Sequence, residues 1–128
     1  MNITSTAVSL TVDDVPASAA FLVKHFGFQE AMAADGVASL VREDAANVIF
    51  LQRGIEVLPE GFRDQRAAGV IIAFTVNDLD TEYERLRSED APITMPLREE
   101  PWGERLFQVT DPNGVTLQLV AWAAHEHQ

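Results

Sequence analysis

Two stretches of alternating residues open the two halves of this chain. Ala7, Ser9 and Thr11 alternate with Val8, Leu10 and Val12, the period of two that predicts a strand with unlike faces. Asp13 or Asp14 can cap a helix start, and Pro16 suits its first turn. Val15, Ala19, Leu22 and Phe26 then recur at helical spacing, with Gly27 as the stop. Three short strands are predicted next, over Phe28 to Met32, Val37 to Arg42 and Asn47 to Gln52. Asp35-Gly36 is a hairpin signal between the first two.

The second half repeats the plan. Val70 to Val76 reads as a strand, Asp78 as a cap, and Leu79, Tyr83 and Leu86 as a buried helical stripe. Pro92 and Pro96 punctuate the following segment. Leu106 to Thr110 and Val115 to Val120 are predicted strands joined by "DPNG", with Pro second in the turn and Gly at its end. Residues 54 to 67 form a polar connection between the halves. Thr11-Val12-Asp13-Asp14-Val15 aligns with Thr75-Val76-Asn77-Asp78-Leu79 at a shift of 64 positions, half the chain. Each half therefore reads as strand, helix, three strands. One helix can cover only one face of its sheet, so the other face must meet a second sheet, a ligand or a partner chain.

Composition narrows the chemistry. The 128 residues suit one ordinary domain, and 47% hydrophobic content is enough for a core. No apolar run approaches the ~20 residues that a membrane span needs, and no secretory signal is visible. Absence of cysteine removes disulfides, thiolate catalysis and Cys-based zinc sites. The expected location is cytoplasmic. A net charge of −11 argues against nucleic-acid binding and attracts cations at long range, although solubility alone explains an acidic surface. A phosphate-binding Gly loop and a nucleophile elbow are both missing. Glu43-Asp44 and Glu99-Glu100 read as solvated turns. His25 near a helix end reads as a surface or packing residue, and His125 and His127 as part of a fraying tail.

The repeated plan, the motif near Asp14 and the "DPNG" followed by "VTLQLV" together resemble the vicinal oxygen chelate superfamily. That superfamily contains glyoxalase I, the extradiol dioxygenases and the bleomycin resistance proteins. The resemblance implies an α+β fold in which two βαβββ modules form a cupped mixed sheet, paired in a homodimer. Residues 1–128 would be a single domain, with modules at about 5–53 and 68–122. It also places the metal ligands of the family's enzymes on cup-facing strand positions, which here fall at Ala7, Ile71 and Gln118. Ala and Ile cannot coordinate, and Gln stands where glyoxalase-like members usually carry Glu. Gln52 offers a second neutral amide. No metal, no cofactor and no catalytic residue are expected.

"EEPWGERLFQVTDPNG" resembles the bleomycin resistance branch, in which a Pro-Trp-Gly precedes the hairpin of the second module and its tryptophan meets the drug. Carried over, Trp102 is a ligand contact, against the bland reading of a Trp that seals a dimer seam. A stacked ring contributes about 0.5–1.5 kcal/mol beyond burial. Trp122 lacks such a motif and is expected in packing or a dimer contact. The expected ligand-binding set is Trp102, Phe50, Gln52, Ser9, Ile71, Ala73, Phe107 and Gln118. On the fourth strand Val48, Phe50 and Gln52 are assigned to the cup, with Phe50 equally readable as core beneath the first helix. The expected function is non-catalytic sequestration of an aromatic antibiotic, bleomycin-like or another flat antitumour natural product, conferring self-resistance. No nucleic acid or membrane is expected as partner. The alternative is a metal-dependent glyoxalase- or dioxygenase-like enzyme of the same fold.

Overall fold

A computed structural model describes residues 1–122 of the chain. It divides into two compact units that meet in sequence at Ala68 and Gly69, and each has the same plan. The first contains β1 (Ala7–Val12), α1 (Val15–Phe26), β2 (Gln29–Ala34), β3 (Val37–Val41) and β4 (Asn47–Gln52). The second contains β5 (Ile71–Thr75), α2 (Leu79–Ser88), β6 (Ile93–Glu99), β7 (Glu104–Thr110) and β8 (Thr116–Trp122). The sheets run β1-β4-β3-β2 and β5-β8-β7-β6, each mixed, with its first strand parallel to its last. No helix among the described residues is long and apolar enough to cross a membrane.

The repeat extends to dihedral angles. Asp14 caps α1 at φ −129°, ψ 89°, and Asp78 caps α2 at φ −130°, ψ 85°. Asp14 accepts the Ala17 N–H at 3.2 Å, and Asp78 accepts the Thr81 N–H at 3.1 Å. These bonds satisfy amides that a helix start leaves without partners. The Thr81 hydroxyl and amide hold the Asp78 carboxyl below its ordinary range.

Gly27 ends α1 in the left-handed region at φ 68°. Arg42, just past β3, turns its guanidinium onto the Phe26 carbonyl at 2.5 Å, placing a cation at the helix's negative end. A Cβ on Gly27 would stand 2.7 Å from Arg42 Nη1. Gly27→Ala is therefore expected to destabilise the chain by roughly 1–2 kcal/mol, the cost of an L side chain in that region. Urea denaturation measures it, and a loss near zero would show that the helix end rearranges freely.

Several boundaries differ from the sequence reading. β2 begins after Phe28, which is buried, and runs on to Ala34 because no breaker precedes the Asp35-Gly36 turn. β8 starts after Val115, whose amide is held by the Asp111 side chain at 2.9 Å. Pro96 lies inside β6 rather than ending it. β6 is an edge strand whose register shifts between Met95 and Arg98, where a missing N–H is tolerated. The connection is folded too: Gly54 N–H donates to the Arg63 carbonyl at 2.7 Å, and Arg63 donates back to Leu58 O at 2.9 Å.

Each unit has its own core beneath its helix. In the first, Leu10, Val12, Leu40, Val48 and Phe50 are buried together with Ala19, Leu22 and Phe26. His25 is buried as well and meets the Phe21 ring edge-on at 4.8 Å, a packing role. In the second, Leu117, Leu119, Phe107 and Val109 are buried with Leu79 and Leu86 of α2.

Candidate functional site

The helix-free face of each sheet follows from its register. In the first unit Ala7, Ser9 and Thr11 pair with Asn47, Ile49 and Leu51, so these six share one face. Leu10 pairs with Phe50 and Val12 with Gln52, on the face that α1 covers. The assignment of Val48, Phe50 and Gln52 to the cup is therefore corrected by one residue. Phe50 is 1% exposed and is core. Gln52 donates to the Asp13 carbonyl at 2.6 Å, bracing the approach to α1. Side chains alternate across a sheet, so a slip of one position exchanges the faces.

In the second unit the helix-free face carries Ile71, Ala73 and Thr75 of β5, in register with Thr116, Gln118 and Val120 of β8. β7 adds Glu104, Leu106, Gln108 and Thr110, opposite Trp122, Val120, Gln118 and Thr116. Ile71 is 54% exposed, whereas Leu106 and Val120 are buried although they share this face. Phe107 belongs to the other face. It is 0% exposed and meets Tyr83 of α2 edge-on at 4.8 Å. Its expected role as a ligand contact is corrected to core. Ser9, Ile71, Ala73 and Gln118 do lie on helix-free faces, as the two-residue alternation implied.

Trp102 sits in the turn between β6 and β7. Gly103 N–H donates to the Glu100 carbonyl at 2.9 Å, and Glu100 N–H to the Glu104 carbonyl at 2.7 Å. The "DPNG" turn closes the same way, from Gly114 to Asp111 at 3.0 Å and from Asp111 to Val115 at 2.9 Å. Both end on a glycine of positive φ, 93° at Gly103 and 86° at Gly114, as a turn followed by a bulge requires. Trp102 thus occupies the place held by Asn113 in the sister turn. Nothing in the backbone asks for a large ring there. The ring is 61% exposed, and its Nε1–H donates to Glu104 Oε1 at 3.0 Å. Trp122, at the end of β8, is 38% exposed on the helix-free face directly opposite Glu104.

The polar centre of this face is a pair of amides, with Gln108 Nε2 donating to Gln118 Oε1 at 2.8 Å. Thr94 and Thr110 hydroxyls meet at 2.8 Å beside it. This bond commits the Gln118 oxygen to Gln108. Ala7 and Ile71 bear no donor atom, and Gln52 lies on the helix face of its sheet. On neither helix-free face do these residues supply the several converging N or O donors that a divalent metal ion needs. No group of three or more His, Asp or Glu among the described residues could hold a metal ion. His125 and His127 lie outside the described residues.

A concavity of 810 Å³ opens in the first unit near the end of α1, between Thr6, Gly27, Gln29, Arg42 and Asn47. It contains none of the expected site residues, and its guanidinium is committed to Phe26 O and Asp44.

Residues 4–119 match the Glyoxalase/Bleomycin resistance protein/Dioxygenase superfamily. Solved structures share the fold at low identity. A glyoxalase/bleomycin resistance protein/dioxygenase from Nocardioides is 21% identical with a TM-score of 0.80, over 97% of this chain and 86% of that one. Lactoylglutathione lyase from Agrobacterium tumefaciens is 16% identical with a TM-score of 0.73, over 94% of each chain. TioX from Micromonospora sp. ML1 is 23% identical with a TM-score of 0.71, over 94% of this chain and 99% of that one. No curated protein sequence matches significantly.

Proposed function

The chain belongs to the Glyoxalase/Bleomycin resistance protein/Dioxygenase superfamily, and from that premise we propose that it binds and sequesters a flat aromatic antibiotic without transforming it. The observation that carries this reading is Trp102, an exposed indole held on a closed turn by a hydrogen bond to Glu104. An indole fixed in place stacks on a planar ligand without first losing rotamer freedom. The helix-free face beside it offers small side chains at Ala73 and Thr75, an apolar one at Ile71 and paired amides at Gln108 and Gln118. That mixture suits an organic ligand. The donor set counts against metal-assisted chemistry, because two of the three family positions carry only carbon, at Ala7 and Ile71. We further propose that the working form is a cytoplasmic homodimer, and that protection scales with the amount of protein.

Equilibrium titration tests the reading, with tryptophan fluorescence as the signal and bleomycin, a mitomycin and an anthraquinone-fused enediyne as ligands. The expected result is saturable binding of at least one of them at micromolar or lower concentration, with the compound recovered unchanged. Failure of all three to bind, or one tightly held divalent ion per chain together with turnover, would overturn it. The second outcome would favour the glyoxalase- or dioxygenase-like alternative.

A further inference from the structure

We infer that Trp102, Glu104 and Trp122 form a subsite that selects planar ligands bearing a positive charge. The inference rests on the binding reading above and names the ligand chemistry that this end of the second sheet prefers. Glu104 and Trp122 are direct cross-strand partners on the helix-free face, so their side chains leave the sheet about 4.5–5.5 Å apart. Glu104 also receives the Trp102 N–H on Oε1. One carboxylate therefore has one indole hydrogen-bonded to it and a second tryptophan as its cross-strand neighbour, and both tryptophans are exposed.

Two neighbouring acids have cations of their own. Glu100 pairs with Arg98 at 2.6 Å, and Asp80 pairs with Arg105 at 3.0 Å. Among the described residues no Lys, Arg or His forms an ion pair with Glu104, whose polar contact is the neutral indole N–H. A carboxylate with two exposed indoles close by attracts a cation through its charge, and a ring face that the cation reaches adds the attraction of its quadrupole. The chain's net charge of −11 adds long-range attraction of the same sign. A neutral ring system would gain only the stacking.

Two tricyclic dyes of similar shape separate these contributions: proflavine, a cation at neutral pH, and acridone, which is neutral. Equilibrium dialysis at low and high salt should show about tenfold tighter binding of proflavine at low salt, narrowing as salt screens the charge. Glu104→Gln keeps an oxygen for the Trp102 N–H and so keeps the indole in place. It should reduce the ratio of proflavine to acridone affinity about fivefold, with the melting temperature showing that the fold is intact. Equal binding of both dyes by the unaltered protein overturns this inference and leaves the sequestration reading standing. Failure of both dyes to bind also overturns this inference, and the sequestration reading then stands or falls on the three antibiotics named above. A preference that survives Glu104→Gln assigns selectivity to net charge and overturns the subsite.

Discussion

Phe107→Ala is expected to lower the free energy of unfolding by about 3–5 kcal/mol. The ring is fully buried and its edge contact with Tyr83 joins β7 to α2. Removing it deletes apolar contacts and leaves a cavity that the sheet and helix can only partly close. A domain of this size is stable by about 5–15 kcal/mol in all, so the variant should lose a large share of its native state. Urea denaturation gives the value directly. A ligand-contact role would show the reverse pattern, weakened binding with little change in stability, and a cost under about 1 kcal/mol would contradict the core assignment. Ile71→Ala serves as the contrast. Ile71 is a more exposed apolar residue on the opposite face, and its loss should change stability by no more than about 0.5 kcal/mol.

Trp102→Ala should do the opposite. The exposed ring contributes little to folding, so stability should stay within about 0.5 kcal/mol of the unaltered protein. Binding of the aromatic ligand should weaken by about 1–3 kcal/mol, as when a stacked anchor is removed. That corresponds to a loss of roughly five- to 150-fold in affinity. Calorimetric titration beside a thermal melt reads both quantities. Unchanged affinity would remove the ligand role from Trp102, and a large drop in melting temperature would mean that the ring seals an interface. The sister turn supplies a control. Asn113→Ala alters the same turn position at the other end of β7, where no indole stands, and should leave binding unaffected.

Much of the second unit was legible from the first. The 64-residue repeat maps Ala7 onto Ile71 and Asp14 onto Asp78; these are the strand starts and the caps of the two units, one residue past the expected start at Val70 in the second, and the caps agree within a few degrees. Those features are local: a carboxylate reaching amides three residues on, a glycine with positive φ, a proline second in its turn. Pro96 stands inside β6 for a physical reason. Proline excludes a central strand but not an edge strand at a register shift, and β6 becomes an edge only once the sheet order is known.

The candidate site was legible only where alternation had contrast. Ser9 and Thr11 against Leu10 and Val12 declare their faces, and so does Ala73 against Phe74. "VIFLQ" in β4 and "LF" in β7 are apolar at consecutive positions and declare nothing. Phe50 and Phe107 were therefore assigned to the wrong face, and Gln52 with them. Glu104 carried no signal as a site residue, because its meaning depends on Trp122, eighteen positions away in the chain and opposite it in the sheet.

By itself the sequence determined the elements, their order, their caps and their turns, since each follows from residues within a few positions of one another. Where a strand is apolar at consecutive positions, as in β4 and β7, the tertiary structure alone decided which side chains share a face. That choice depends on the parallel pairing of β1 with β4 and of β5 with β8, contacts that span some forty residues, and a shift of one residue in such a pairing exchanges the core for the surface.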